Sequence, residues 1–119
     1  MLKRLALAIA LAPALPALAQ ETGHDGHMMG DTGPASMAFM EANTRMHAAM
    51  MQEYTGNADV DFIRGMIPHH QGAVEMAKIV LELGKDPEVR KLAEGIIAAQ
   101  EAEIAWMTEW LAKNPPKAP

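Results

Sequence analysis

His69 and His70 stand side by side between two methionines in the run Met66-Ile67-Pro68-His69-His70-Gln71-Gly72-Ala73-Val74-Glu75-Met76-Ala77. Met66 precedes His69 by three residues and His70 by four, so on a helix each pair converges on one point. Imidazole nitrogen beside soft thioether sulfur is a donor set that suits copper, with copper(I) favoured and copper(II) or silver(I) as alternatives. Burying two neutral imidazoles is costly unless something partners them. The competing reading is a core in which both rings hydrogen-bond to Gln100 or Glu103.

Similar donors recur elsewhere. Met46, His47, Met50 and Met51 repeat the pattern, with His47 four residues before Met51 and Met46 four before Met50. Methionine at such spacing also serves as a flexible core filler. Gln100 and Glu103 could orient the imidazoles through their free N–H groups, Glu103 could ligate directly, or both could reach solvent at a helix edge. His24, His27, Met28 and Met29 form a short-range capture sequence near the start of the chain, of low specificity for any one metal.

The elements that must position these groups are helices. The first is predicted from Ser36, as N-cap, to about Tyr54, with Phe39, Asn43, Met46, Met50 and Tyr54 on one stripe. The second runs from near Asp59 to about Leu83, closed by Gly84. Its solvent side collects Asp61, Arg64, Pro68, Gln71, Glu75, Lys78 and Glu82; its apolar arc holds Phe62, Ile63, Met66, His69, His70, Ala73, Met76, Ala77 and Val80. Pro68, on the wet face, should kink the helix and leave the carbonyl near Arg64 without its usual donor. The third helix starts with Asp86 as N-cap and Pro87 at the first position and ends near Lys113, before Asn114-Pro115-Pro116. Gln100 and Glu103 interrupt its apolar stripe. Three long amphipathic helices without strand-like alternation predict an all-α antiparallel helical bundle over residues 35–114, with a short C-terminal tail at 115–119. Wide apolar arcs make a homo-oligomer an option.

Ahead of the bundle, Met1-Leu2-Lys3-Arg4, an apolar run from Leu5 to Leu18 and Ala17-Leu18-Ala19 read as a signal peptide, 1–19, cleaved after Ala19. The run is too short and too proline-punctuated for a membrane span, so no membrane insertion is expected and the chain should be secreted to the periplasm. Residues 20–34, rich in Gly, Asp, Thr and His, read as a flexible tail. Losing Lys3 and Arg4 with the leader takes the formal charge from −5 to −7, which argues against nucleic acid as a partner. Cysteine is absent, which excludes disulfides and copper thiolates, while 11 methionines against five aromatic residues are the compositional anomaly.

Phe39 with Met46-His47-x-x-Met50, the segment from Asp61-Phe62 through Met66-Ile67-x-His69-His70-Gln71-x-Ala73-x-x-Met76-Ala77, and Gln100-x-x-Glu103-Ile104-x-x-Met107 together resemble the domain-of-unknown-function 305 family, which includes the CopM-like exported copper-binding proteins. The resemblance implies a ferritin-like helical bundle and copper homeostasis or resistance outside the cytoplasm, with copper export proteins as candidate partners. It extends the candidate ligand set to Met107.

Three rivals stand beside that expectation. A ferritin-like di-metal enzyme needs Glu-x-x-His on two helices, and none falls on the three predicted helices, the one occurrence being Glu21-Thr22-Gly23-His24 ahead of them. A haem carrier would take His and Met as axial ligands, but the chain lacks Cys-x-x-Cys-His and aromatic walls. A metal-free interaction module could present the Met-rich face to partner helices. Neither a nucleophile with its base nor a glycine-rich phosphate loop is visible. The expectation is a binding protein rather than an enzyme.

Overall fold

The computed structural model describes residues 30–116. They form three helices, α1 (Pro34–Met50), α2 (Ala58–Leu83) and α3 (Pro87–Lys113). No strand occurs among the described residues, so the chain is an all-α helical bundle. The predicted leader and the candidate donors His24, His27, Met28 and Met29 lie outside these residues. No described helix is long and apolar enough to cross a membrane.

Each helix starts on a device visible in the sequence. Asp86 accepts from the amides of Glu88 and Val89 at 2.9 and 3.0 Å, ahead of Pro87, whose missing N–H costs nothing there. Asn57 does the same for Asp59 and Val60 at 3.0 and 3.2 Å. The start of α1 comes two residues before the predicted Ser36. Asp31 takes the Ser36 hydroxyl at 2.7 Å and the Gly33 amide at 2.9 Å, so Ser36 braces the entry turn from inside the helix.

The end of α1 departs further from expectation. The helix stops at Met50, and Met51 and Tyr54, both expected within it and Tyr54 on its stripe, are exposed beyond it. Asp61 is the reason. Its carboxylate accepts from the Thr55 amide and hydroxyl, both at 2.8 Å, and from the Gly56 amide at 3.0 Å. Gly56 turns there with φ 81°. Arg64 adds a bond to the Glu53 carbonyl at 3.1 Å. Side-chain bonds thus offer residues 51–57 an alternative to another helical turn.

Both α1 and α3 pack on α2, and their backbones do not approach each other. The middle helix therefore buries two sides. At a hundred degrees per residue, Val60, Ile63, Val74 and Ala77 form an arc toward α3, while Pro68 and Gly72 form another toward α1. This corrects the single-arc reading: Pro68 is buried, and the predicted wet strip is partly where α1 docks. Glu75 on that strip accepts from Arg45 of α1 at 3.2 Å. Helix α2 runs unbroken through Pro68. Conversely, Phe62, assigned to the apolar arc, is 62% exposed, and His69 is exposed too. They lie on the side of α2 that neither neighbour covers. Farther along, the same open side becomes an apolar groove of about 250 Å³ lined by Phe39, Met76, Val80, Val89, Leu92 and Ile96 among others.

Small residues let the helices close up. Ala42, Ala77 and Ala93 are buried, and Gly72 carries the side chain of Met46 directly on its backbone. A β-carbon at Gly72 would stand 2.7 Å from Met46 Cγ and 2.9 Å from its Cβ. The turn between α2 and α3 is held by Arg90, which donates to the carbonyls of Leu81 at 2.7 Å and Gly84 at 3.0 Å. Those are orphan acceptors at a helix end, satisfied by a cation.

Candidate metal centre

His70 sits in the seam between α2 and α3, its side chain 15% exposed. Its Nε2 lies 2.6 Å from Glu103 Oε2 on α3. An ionised carboxylate can only accept, so Nε2 carries the proton, and in the neutral ring Nδ1 holds the lone pair. That Nδ1 is buried and has no hydrogen-bond partner. Gln100 Oε1, one turn before Glu103, is a second buried acceptor without a donor. Two buried acceptors without donors are a local deficit of positive charge, which a cation would remove.

The antiparallel register extends the site. Pairing residue 70 with 103 sets residue 66 level with 107, because the sequence sums agree across an antiparallel helix pair. Met66 is half-buried on α2, and Met107 is 4% exposed in the α2–α3 core. Both fall one turn from the His70–Glu103 pair, toward the same end of the seam. The seam thus holds one imidazole oriented by a carboxylate, with Met66 and Met107 one turn farther along it.

The other sequence candidates divide among different places. His69 stays beside His70, with ring centroids 6.0 Å apart and planes at 60°, but it points to the open side; it is not buried as predicted. Met46 is pressed onto Gly72 in the α1–α2 seam, where it fills space. The register that pairs 46 with 72 sets Met50 and His47 level with residues 68–71, on the opposite flank of α2 from His70. Met50 is half-buried there and His47 exposed. Met51, 86% exposed past the end of α1, joins no cluster. Met76 lines the apolar groove. No three histidine, aspartate or glutamate side chains converge among the described residues.

Sequence reasoning weighed Glu103 and Gln100 as orienting groups, and Glu103 holds that position on His70. What it missed is the split of the methionines between two seams. The signal was present: Pro68 on the supposed wet face of α2, with Gly72 one turn along, hinted at a second packed side. It also missed Asp61, whose carboxyl is held below the ordinary carboxylate range, chiefly by the Thr55 amide.

A helical bundle with a carboxylate-oriented histidine between two of its helices is the class that fold and site define. A family model described as a domain of unknown function, DUF305, matches residues 10–112. The chain belongs to that family. It is also similar to an uncharacterized protein of Acanthamoeba polyphaga mimivirus, 42% identical over 53 residues, which cover 44% of this chain and 35% of the relative. The match thus spans about a third of that relative's length.

Proposed function

We propose that this protein binds copper as its cargo, copper(I) in preference, at the α2–α3 seam, and scavenges, buffers or hands on the metal outside the cytoplasm. One observation carries the reading: the His70 ring is fixed through Nε2 by Glu103 and leaves a buried Nδ1 with nothing to bind. Carboxylate–histidine–metal arrangements have this form, with the outer carboxylate setting the tautomer and raising ligand basicity. Met66 and Met107 supply soft sulfur one turn away, and with no cysteine in the chain thioether is its only sulfur donor. His69, exposed beside His70, serves as an entry ligand that passes metal inward. The leader-like Leu5–Leu18 run behind Lys3 and Arg4 supports the export part of this reading.

Competition titration against a copper(I) chelator tests the proposal. Glu103→Gln should weaken affinity about 10- to 100-fold, as loss of an outer-shell partner does. His70→Ala should weaken it more, and His69→Ala less. Affinity unchanged in His70→Ala would overturn the reading.

A further inference from the structure

Helix α3 has a second pattern, on the face turned away from α2. Glu88, Leu92, Gly95, Ala99, Ala102, Trp106, Glu109 and Lys113 follow one another at alternating steps of four and three residues. That is the heptad spacing of a coiled-coil seam, kept over three and a half repeats. Every one of these positions is exposed, and the two large apolar members are the most conspicuous: Leu92 is 62% and Trp106 58% exposed. Leu92 also lines the apolar groove with Phe39 of α1 and Val80 of α2, and the other positions stand open to solvent. A shallow surface depression of about 520 Å³ runs along it past Leu92, Gly95 and Ala99.

We infer that this face pairs with the same face of a second copy, antiparallel, around a two-fold axis between Ala99 and Ala102. Three features select that occupant and that register. The two small residues meet at the centre, Ala99 against Ala102 of the partner subunit, which lets the backbones approach. One step outward, the Trp106 indole faces Gly95 of the partner subunit, where a β-carbon would meet nothing within 4 Å. At each end Glu88 faces Lys113 of the partner subunit, so opposite charges close the seam. The two-fold makes every contact occur twice, as an isologous interface requires. Within one copy Lys113 already holds Glu109 at 2.5 Å, and pairing shares that ammonium between two carboxylates. A parallel pairing would set Trp106 on Trp106 and like charges on like, which opposes it. Gln100 of the His70 site also borders this depression, so the two surfaces share an edge of α3.

Sedimentation equilibrium of the whole protein tests it. The protein should dimerise at tens of micromolar, and Trp106→Lys should be monomeric with unchanged helical circular dichroism. Glu88→Lys and Lys113→Glu should each weaken association roughly tenfold, since two symmetric pairs turn repulsive. The double variant Glu88→Lys/Lys113→Glu should recover it, a rescue that a general loss of fold would not give. A protein that stays monomeric over the whole range would overturn the inference. So would a dimer that survives Trp106→Lys, or charge reversals without rescue.

Discussion

At the scale of single residues, the proposed copper site depends on which nitrogen of His70 holds the proton. Glu103 decides it by accepting from Nε2, and this leaves Nδ1 free to bind metal. His70→Ala should therefore remove the tightest copper(I) binding, and affinity retained in that variant, followed by chelator competition, would point to thioethers alone. Gly72 and Met46 test packing in the same direct way. Gly72→Ala places a methyl against the Cβ and Cγ of Met46, at 2.9 and 2.7 Å, which rotation at the far end of the side chain cannot relieve. Urea denaturation should show a loss of about 1–3 kcal/mol, the usual penalty of overpacking. Stability equal to the parent would mean that α1 shifts freely on α2. His70 and its partners were legible in the sequence because imidazole and thioether are uncommon together at helical spacing. Their sorting into site, filler and surface was not, because it depends on which neighbour covers which side of α2.

At the scale of elements, the helix starts were legible and the link after α1 was not. Asn57 and Asp86 cap locally, so the residues that decide those boundaries lie within three positions of them. Residues 51–57 are decided by Asp61, which reaches back from the next helix. A window centred on Tyr54 must reach seven residues onward before it includes that carboxylate. The Asp61 carboxyl is held below its ordinary value by the Thr55 amide first, with the Thr55 hydroxyl and Gly56 amide adding to this. A depressed carboxyl stabilises the fold fully above its unfolded-state value and loses that contribution as pH falls through the folded-state value. The link should therefore loosen only in strongly acidic solution, below the ordinary aspartate range near 3.8. In Asp61→Asn, amide exchange at Thr55 and Gly56 should be fast already at neutral pH. Protection that persists in that variant would show that something else holds the link. At the other end of α2, Arg90→Met leaves the carbonyls of Leu81 and Gly84 without their donor. Thermal unfolding should register a loss on the order of 1 kcal/mol. No loss would mean that water replaces the guanidinium without cost.

At the scale of the whole molecule, α2 serves two neighbours and keeps a third side open. That arrangement explains why one helix can carry a buried ring in a seam and an exposed ring beside it. It also explains why the bundle was legible as a class while its layout was not: an amphipathic arc reports that a helix is covered, not how many partners cover it. Copper bound at the seam touches both α2 and α3, so loading should raise the unfolding temperature, increasingly with copper excess, because the unfolded chain has no such site. Removing residues 20–29, which carry His24, His27, Met28 and Met29 but spare the Asp31 turn, should lower stoichiometry and leave the tightest site in place. The most direct test of the central claim is X-ray absorption at the copper edge of the protein loaded with one equivalent of copper(I). The account predicts a shell of mixed nitrogen and sulfur scatterers that loses its imidazole signature in His70→Ala. A shell of nitrogen and oxygen alone, or an imidazole signature unchanged in that variant, would contradict it.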